Sequence, residues 1–269
     1  MSKLIALDDG HGMETAGKRT PKLSDGTFMH ENEFNSAVVT YCAKVLEACG
    51  MDVLFTAPTD VDVPLSTRVQ LANVKGADIF VSVHANANTG KWNNANGVET
   101  YYYASSKEGK KLANAVHSQL IKGTKQTDRG IKTQTYYVLK NTKMPAILVE
   151  AGFMDNKTEA ELLKSDTFRR ECANEIAHGI CDYYGTQFID GVLSLNTSKT
   201  LYKVQVGAFS KKENARKLLA DLDKLGYQAI VVTSNKLYKV QVGSFSVKEN
   251  ATKLMAQLKT HGYSAVIVS

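Results

Sequence analysis

Through the first 185 residues, short apolar runs alternate with longer stretches in which apolar positions recur every three or four residues. The runs predict strands at 3–7, 52–56, 78–84, 98–103, 136–139 and 146–150, and the helical period predicts helices at 32–49, 66–75, 106–122, 157–164 and 167–184. Strands and helices that alternate in this way predict an α/β domain built on a mostly parallel, twisted sheet flanked by helices.

A different pattern follows. The stretch "LYKVQVGAFSKKENARKLLADLDKLGYQAIVV" at 201–232 returns as "LYKVQVGSFSVKENATKLMAQLKTHGYSAVIV" at 237–268, with 21 of 32 positions identical. Each copy reads as strand, helix, strand. Two such βαβ units predict one small four-stranded sheet backed by two helices, because a single unit cannot cover its own apolar face. In "YKVQVGAF", strict alternation sets Tyr202, Val204, Val206 and Ala208 on one face and Lys203, Gln205, Gly207 and Phe209 on the other. Gln205 and its counterpart Gln241 are therefore expected on the open face. The segment between the two patterns is rich in Gly, Asn, Ser and Thr, which divides the chain into 1–188, a linker at 189–199 and a second domain at 200–269.

Charge sharpens this division. The net charge is +6, yet residues 200–269 carry 11 Lys/Arg against 4 Asp/Glu while residues 1–199 carry 22 against 23. The basic character belongs to the repeat domain and points to an anionic partner, while polar and aromatic groups on an open sheet suit sugar binding. RNA is a rival partner for such a sheet, but the stacking aromatics of RNA-binding strands are missing. No apolar run approaches the ~20 residues needed to span a bilayer. The start, "MSKLIALDDGH", meets an acidic pair before a signal-like segment develops, so synthesis in the cytoplasm without a signal peptide is expected. Cys42, Cys49, Cys172 and Cys181 lack paired metal-site spacing and read as free thiols.

Candidate chemistry gathers where apolar strands end. In "LIALDDGHG" two carboxylates and His11 sit on a glycine hinge, "DIFVSVH" closes on His84, and "AILVE" closes on Glu150. Open α/β sheets bind ligands beyond the carboxyl ends of their strands. Two histidines and one carboxylate form a catalytic zinc set with one position left open. Glu31, at the start of the long first helix, is positioned to join them, with Glu33 and His30 as neighbouring alternatives. Asp8 or Asp9 is a candidate to orient an imidazole through a hydrogen bond. Asn86, two residues past His84, and Trp92, in the polar loop "ANTGKWNNANG", are candidate substrate contacts.

Four ordered segments, "DDGHG", "HENEFN", "SVHAN" and "VEAGFMDN", resemble those of the zinc-dependent N-acetylmuramoyl-L-alanine amidases of bacterial and phage cell-wall lysis, over roughly residues 1 to 185. The resemblance implies one zinc ion held by His11, Glu31 and His84, with Glu150 as the catalytic glutamate. Asp9 departs from the commoner small residue or proline before Gly-His-Gly, and "METAGKRTP" replaces a longer glycine-rich stretch. The tail resembles the SPOR peptidoglycan-binding module. Together they imply an enzyme that cuts the amide between N-acetylmuramic acid and L-alanine and acts on the wall after release from the cell. Its partner would be peptidoglycan, and nothing points to a nucleic acid, a membrane or a protein partner. A zinc peptidase of the stem peptide and a wall-binding protein without activity are the rival readings.

Overall fold

The computed structural model describes residues 2–193, 202–227, 229–234, 237–245 and 248–268. It divides into two compact units, 1–194 and 195–269. In the first unit six strands, β1 (Leu4–Asp9), β2 (Asp52–Phe55), β3 (Ile79–Asn86), β4 (Val98–Tyr102), β5 (Asp128–Thr133) and β6 (Ala146–Phe153), form one sheet in the order β2-β1-β3-β6-β4-β5. The strands β2, β1, β3 and β6 are mutually parallel, while β4 runs antiparallel to β6 and β5 parallel to β4. This is the mostly parallel α/β sheet expected from the pattern.

Helices cover both faces. One face packs Ile5, Leu7, Val81, Val83, Ile147 and Val149 under α1 (Glu31–Ala48), α3 (Lys107–Thr124) and α6 (Asp166–Tyr184). The other packs Ala6, Phe80, Ala146 and Leu148 under α2 (Leu65–Lys75) and α4 (Tyr137–Asn141). The short α5 (Lys157–Lys164) precedes α6, with Asn156 accepting from the amides of Thr158 and Glu159 at its start.

On the second face the strands change character toward their ends. Ala6 gives way to Asp8, Phe80 to Ser82 and His84, and Leu148 to Glu150, while the first face stays apolar through Leu7, Val83 and Val149. Side chains two apart on a strand share a face. The three central strands therefore present one polar corner at their carboxyl ends.

Two readings of the elements are corrected. The strand expected at 136–139 is the helix α4, because Val138 and Leu139 are buried against the second face as a helical turn. The apolar content of "YYVL" carried no period long enough to tell strand from helix. The strand β5 was not expected, since its sequence "DRGIKT" lies half exposed at the sheet edge and shows no apolar alternation. Near the expected start of the linker, residues on both sides of 189 pack on the first unit. Phe188 stacks on the His178 ring at 4.2 Å, and Leu193 is buried in the main core. Residues 194–199 of the expected linker lie outside the described residues.

In the second unit β7 (Tyr202–Phe209), α7 (Lys212–Lys224), β8 (Ala229–Ser234), β9 (Leu237–Phe245), α8 (Lys248–Thr260) and β10 (Val266–Val268) make the expected four-stranded sheet and two helices. The order is β10-β7-β9-β8, so the second strand of each repeat pairs with the first strand of the other. The repeats are thus interlocked.

A bulge between Gln205 and Gly207 shifts the pairing of β7 with β9. It reverses the alternation, so Gly207 lies under Leu218 of α7, and Phe209 packs with the core instead of lying on the open face.

Candidate metal centre

The centre is assembled from the ends of β1 and β3 and the start of α1. Just past β1, Gly10 lies so close to the His84 ring that a Cβ there would stand 2.0 Å from Cε1. Only glycine fits. The next residue, His11, takes φ of 63°, in the left-handed region that few side-chain-bearing residues adopt. The tight turn reverses the chain above the sheet edge and turns the imidazole back toward β3.

Several groups hold the turn. Asn35 Nδ2 donates to Gly10 O at 2.8 Å and Asn32 Nδ2 to His11 O at 3.0 Å, both from the first turns of α1. On the other side Arg68 of α2, 1% exposed, donates to Asp9 O at 2.6 Å, His11 O at 3.2 Å, Val63 O at 2.8 Å and Asp8 Oδ1 at 3.0 Å.

Glu31 is the first residue of α1, where the helix dipole favours a carboxylate. Its backbone amide donates to Lys18 O at 2.9 Å, which fixes it against the incoming loop. The side chain is buried. Its Oε1 lies 2.9 Å from His84 Nδ1 and its Oε2 3.6 Å from His11 Nε2. The two rings meet edge-on with centroids 5.0 Å apart, and one ligand atom from each of the three residues falls within 4.8 Å of the others. Ligands at ~2.1 Å from a tetrahedral ion are separated by about 3.4 Å, which the two distances bracket.

The alternatives are otherwise engaged. Glu33 Oε1 accepts from the His30 amide at 2.8 Å, capping the helix, and the group of donor atoms within reach of one ion takes in Glu31 and neither neighbour.

His84 carries a second bond. Its Nε2 donates to Ser82 Oγ at 3.0 Å, Ser82 Oγ donates to Asp8 Oδ2 at 2.6 Å, and Asp8 is paired with Arg68 and accepts from Thr56 Oγ1 at 2.6 Å. A proton on Nε2 leaves the Nδ1 lone pair facing the centre. Asp8 thus reaches the imidazole through Ser82. Asp9 does not, and its carboxylate accepts from Asn32 Nδ2 at 3.4 Å. The sequence reading missed Ser82, Arg68, Asn32 and Asn35. The parity of "FVSVH", which puts Ser82 on the face of His84, was a usable signal, whereas nothing local marks Arg68.

Glu150 pairs in register with His84 across β3 and β6. Its Oε2 is buried and has no hydrogen-bond partner. Burial pushes its pKa up to about 8, with the His84 charge acting against the rise and Glu31 adding to it. Burial depresses His11 to about 4 despite the Glu31 charge. Burial acts in the same sense on His84, but the hydrogen bond and charge of Glu31 outweigh it and raise the pKa. Burial would raise Glu31, yet the hydrogen bond and charge of His84, with His11 and Lys18, hold it low.

His11, His84 and Glu150 line a cavity of about 230 Å³ whose wall also includes Lys18, Asp62, Leu65, Tyr136, Tyr137 and Val138. Asn86 and Trp92 do not line it. Asn86 Oδ1 accepts from the Ala87 amide and its backbone carbonyl from Met154 N. Trp92 belongs to a loop anchored by Asp155, whose Oδ2 accepts from the amides of Asn88, Thr89 and Gly90 at 2.8–2.9 Å.

The profile of the N-acetylmuramoyl-L-alanine amidase family matches residues 5–182, and that of the SPOR domain matches residues 198–269. The chain belongs to this amidase family. It is similar to the N-acetylmuramoyl-L-alanine amidase CwlM of Bacillus licheniformis, with 35% identity over 229 residues covering 85% of this chain and 84% of the relative. It is also similar to the endolysin of Bacillus phage SPP1, with 40% identity over 191 residues covering 68% of this chain and 66% of the relative. Among solved structures, the catalytic domain of the amidase CwlV from Bacillus (Paenibacillus) polymyxa var. colistinus superposes with a TM-score of 0.62 at 32% identity, covering 69% of this chain and 99% of that one. The motifs that carry the family likeness supply the donor set, Glu150 and the Asp155 anchor of the loop after β3.

Proposed function

We propose that this protein hydrolyses the amide joining the lactyl group of N-acetylmuramic acid to L-alanine in peptidoglycan. His11, Glu31 and His84 would hold one zinc ion, and Glu150 would act as general base and acid. The observation that carries this reading is the convergence of two imidazoles and one carboxylate within 4.8 Å, with a buried, unpartnered carboxylate oxygen on the neighbouring strand. Nitrogen and oxygen donors in this ratio suit catalytic zinc. Bound there, zinc would lower the pKa of a water toward ~7, polarise the scissile carbonyl and favour the ionised form of a nearby carboxyl.

The chain's own groups divide the remaining work. Glu150 takes a proton from the attacking water and returns it to the departing alanine nitrogen, since an amine leaves readily only when protonated. The Ser82–Asp8 relay holds His84 in one tautomer. Tyr136 and Tyr137, with Leu65, give the sugar or peptide an apolar surface to lie against.

The second unit would hold the enzyme on the wall. Gln205 and Gln241 face each other across β7 and β9, in one row with Val266 and Ile230, which are 55% and 62% exposed. Val204, Val240 and Val242 point the other way into the core. An amide pair between exposed apolar side chains suits a sugar strand. Such attachment raises the effective concentration of the catalytic unit at an insoluble polymer. Acting on the wall, the enzyme would work after release from the cytoplasm in which it is made.

Glu150→Gln is expected to keep zinc and fold while losing at least ~100-fold in release of L-alanine-terminated peptides from purified wall, followed by mass spectrometry. Turnover near wild type would remove Glu150 from the mechanism, and fragments cut within the stem peptide would favour a peptidase. His11→Ala and His84→Ala are expected to lose zinc itself. Gln205→Ala with Gln241→Ala should weaken pelleting with wall while sparing small soluble muropeptides.

A further inference from the structure

An amide carbonyl under attack develops negative charge, and this cavity is rich in carboxylates. Asp8, Asp62 and Glu150 all line it, and Glu31 lies just behind His84 and His11. Besides the histidines, its cations are Lys18 and Arg68. The Arg68 guanidinium is fully occupied with Asp8, Asp62 and three backbone carbonyls. Lys18 is free. Its Nζ lies 3.9 Å from Glu31 Oε2, beyond hydrogen-bond distance, and among the described residues that carboxylate is its one charged contact.

The position of Lys18 is built into the fold. The loop after His11 closes as a small hairpin in which Arg19 bridges His30, Thr20 N donates to Met29 O at 2.9 Å and Glu31 N donates to Lys18 O at 2.9 Å. Leu23 and Met29, both buried, root this hairpin in the protein interior. Lys18 and Glu31 are thus tied backbone to backbone. The side chain of Lys18 keeps 43% exposure and lines the cavity.

The two oxygens of Glu31 mark two sides of the centre. Oε1 faces His84, whose strand neighbour is Glu150, and Oε2 faces His11 and Lys18. The proton-handling carboxylate and the spare cation therefore flank the donor set.

We propose that Lys18 is a catalytic residue whose ammonium group binds the scissile carbonyl oxygen as it becomes an oxyanion. The proposal rests on the amidase reading. In the step, the water oxygen forms a bond to the carbonyl carbon, one water proton passes to Glu150, and the carbonyl π pair moves onto the oxygen beside Lys18. The C–N bond then breaks as Glu150 returns its proton to the nitrogen, and the oxyanion pair re-forms the carbonyl of the lactyl carboxylic acid. A positioned donor of this kind typically contributes 10²–10³-fold, and the partial exposure of Lys18 reduces the expectation to about 10–100-fold.

The test uses the full zinc-loaded chain with Lys18→Met, which keeps the aliphatic stem, and Lys18→Arg, which restores the charge. Two soluble probes are compared: N-acetylmuramoyl-L-alaninamide, which has no carboxylate on its amino-acid part, and N-acetylmuramoyl-L-alanyl-D-glutamate. Lys18→Met is expected to lower kcat by about 10–100-fold on both, with KM and zinc retention against a chelator within about twofold of wild type. Lys18→Arg should recover part of the loss. A phosphinate analogue of the scissile amide, measured by calorimetry, should bind Lys18→Met more weakly by the same factor.

A rise in KM confined to the glutamate-bearing probe would overturn the proposal and make Lys18 a reader of peptide charge. Loss of zinc retention would overturn it in favour of a supporting role to Glu31, and unchanged kcat would make Lys18 a bystander. If wild type cleaves neither probe yet binds zinc, the amidase reading itself fails and the proposal falls with it.

Discussion

Removing the Arg68 guanidinium is the most severe single change that the site's architecture predicts outside the metal donors. The side chain is 1% exposed and pairs with Asp8, itself 1% exposed. Arg68→Met leaves the methylene volume in place but abandons a buried carboxylate and the carbonyls of Val63, Asp9 and His11. Breaking one partner of a buried ion pair costs about 3–5 kcal/mol. For a unit of 194 residues, at roughly 2–4 °C per kcal/mol, the melting temperature should fall by about 6–20 °C. The assay is built into the chain, because its one tryptophan, Trp92, lies in the catalytic unit and reports that unit's unfolding in the intact protein. Adding Asp8→Asn should restore part of the loss, since the pair is coupled. A shift under ~3 °C for Arg68→Met, or a double variant with losses that simply add, would refute the claim that this charge pair holds the turn.

Other outcomes follow from the same geometry. Gly10→Ala, with its Cβ driven into the His84 ring, should displace that imidazole and weaken zinc binding in a chelator competition, at a stability cost of about 1–3 kcal/mol. Ser82→Ala removes the acceptor of the His84 Nε2 proton and should lower zinc affinity by about 10–100-fold with little change in melting temperature. Glu175 gives a pH signature away from the centre: burial, with Glu171 adding, raises its pKa from 4.5 to about 7. A raised folded-state pKa means that the folded chain binds the proton more tightly, so stability falls as pH rises from about 4.5 to about 7 and then levels. Glu175→Gln should abolish that fall, and its advantage in melting temperature over wild type should vanish near pH 4; an advantage independent of pH would contradict the assignment.

The periodicities of the chain determined most of its elements, because they report which face of a local segment is buried. Alternation in "LIALDD", "FVSVH" and "AILVE" already set Asp8, Ser82, His84 and Glu150 on one face of their strands. The repeat at 201–268 was equally plain. It could not reveal that β8 lies beside β9 and β10 beside β7, since strand exchange between repeats leaves each local pattern unchanged. Nor could it foresee the bulge that turns Phe209 into the core, because one inserted residue inverts a two-residue period without altering composition.

The choice among His30, Glu31 and Glu33 was likewise beyond local pattern. All three are polar residues at a helix start. The loop pairing through Lys18 O and the capping of His30 N by Glu33 decide which carboxylate meets the imidazoles. Arg68 is the clearest case, a buried cation that no alternation marks, because its five partners come from β1, the turn after it and the segment before α2. Sequence spacing tells which way a side chain points relative to its own backbone. Which distant groups it then meets depends on the sheet order β2-β1-β3-β6-β4-β5 and on the helices packed against it, and that is decided only when the whole chain closes on its core.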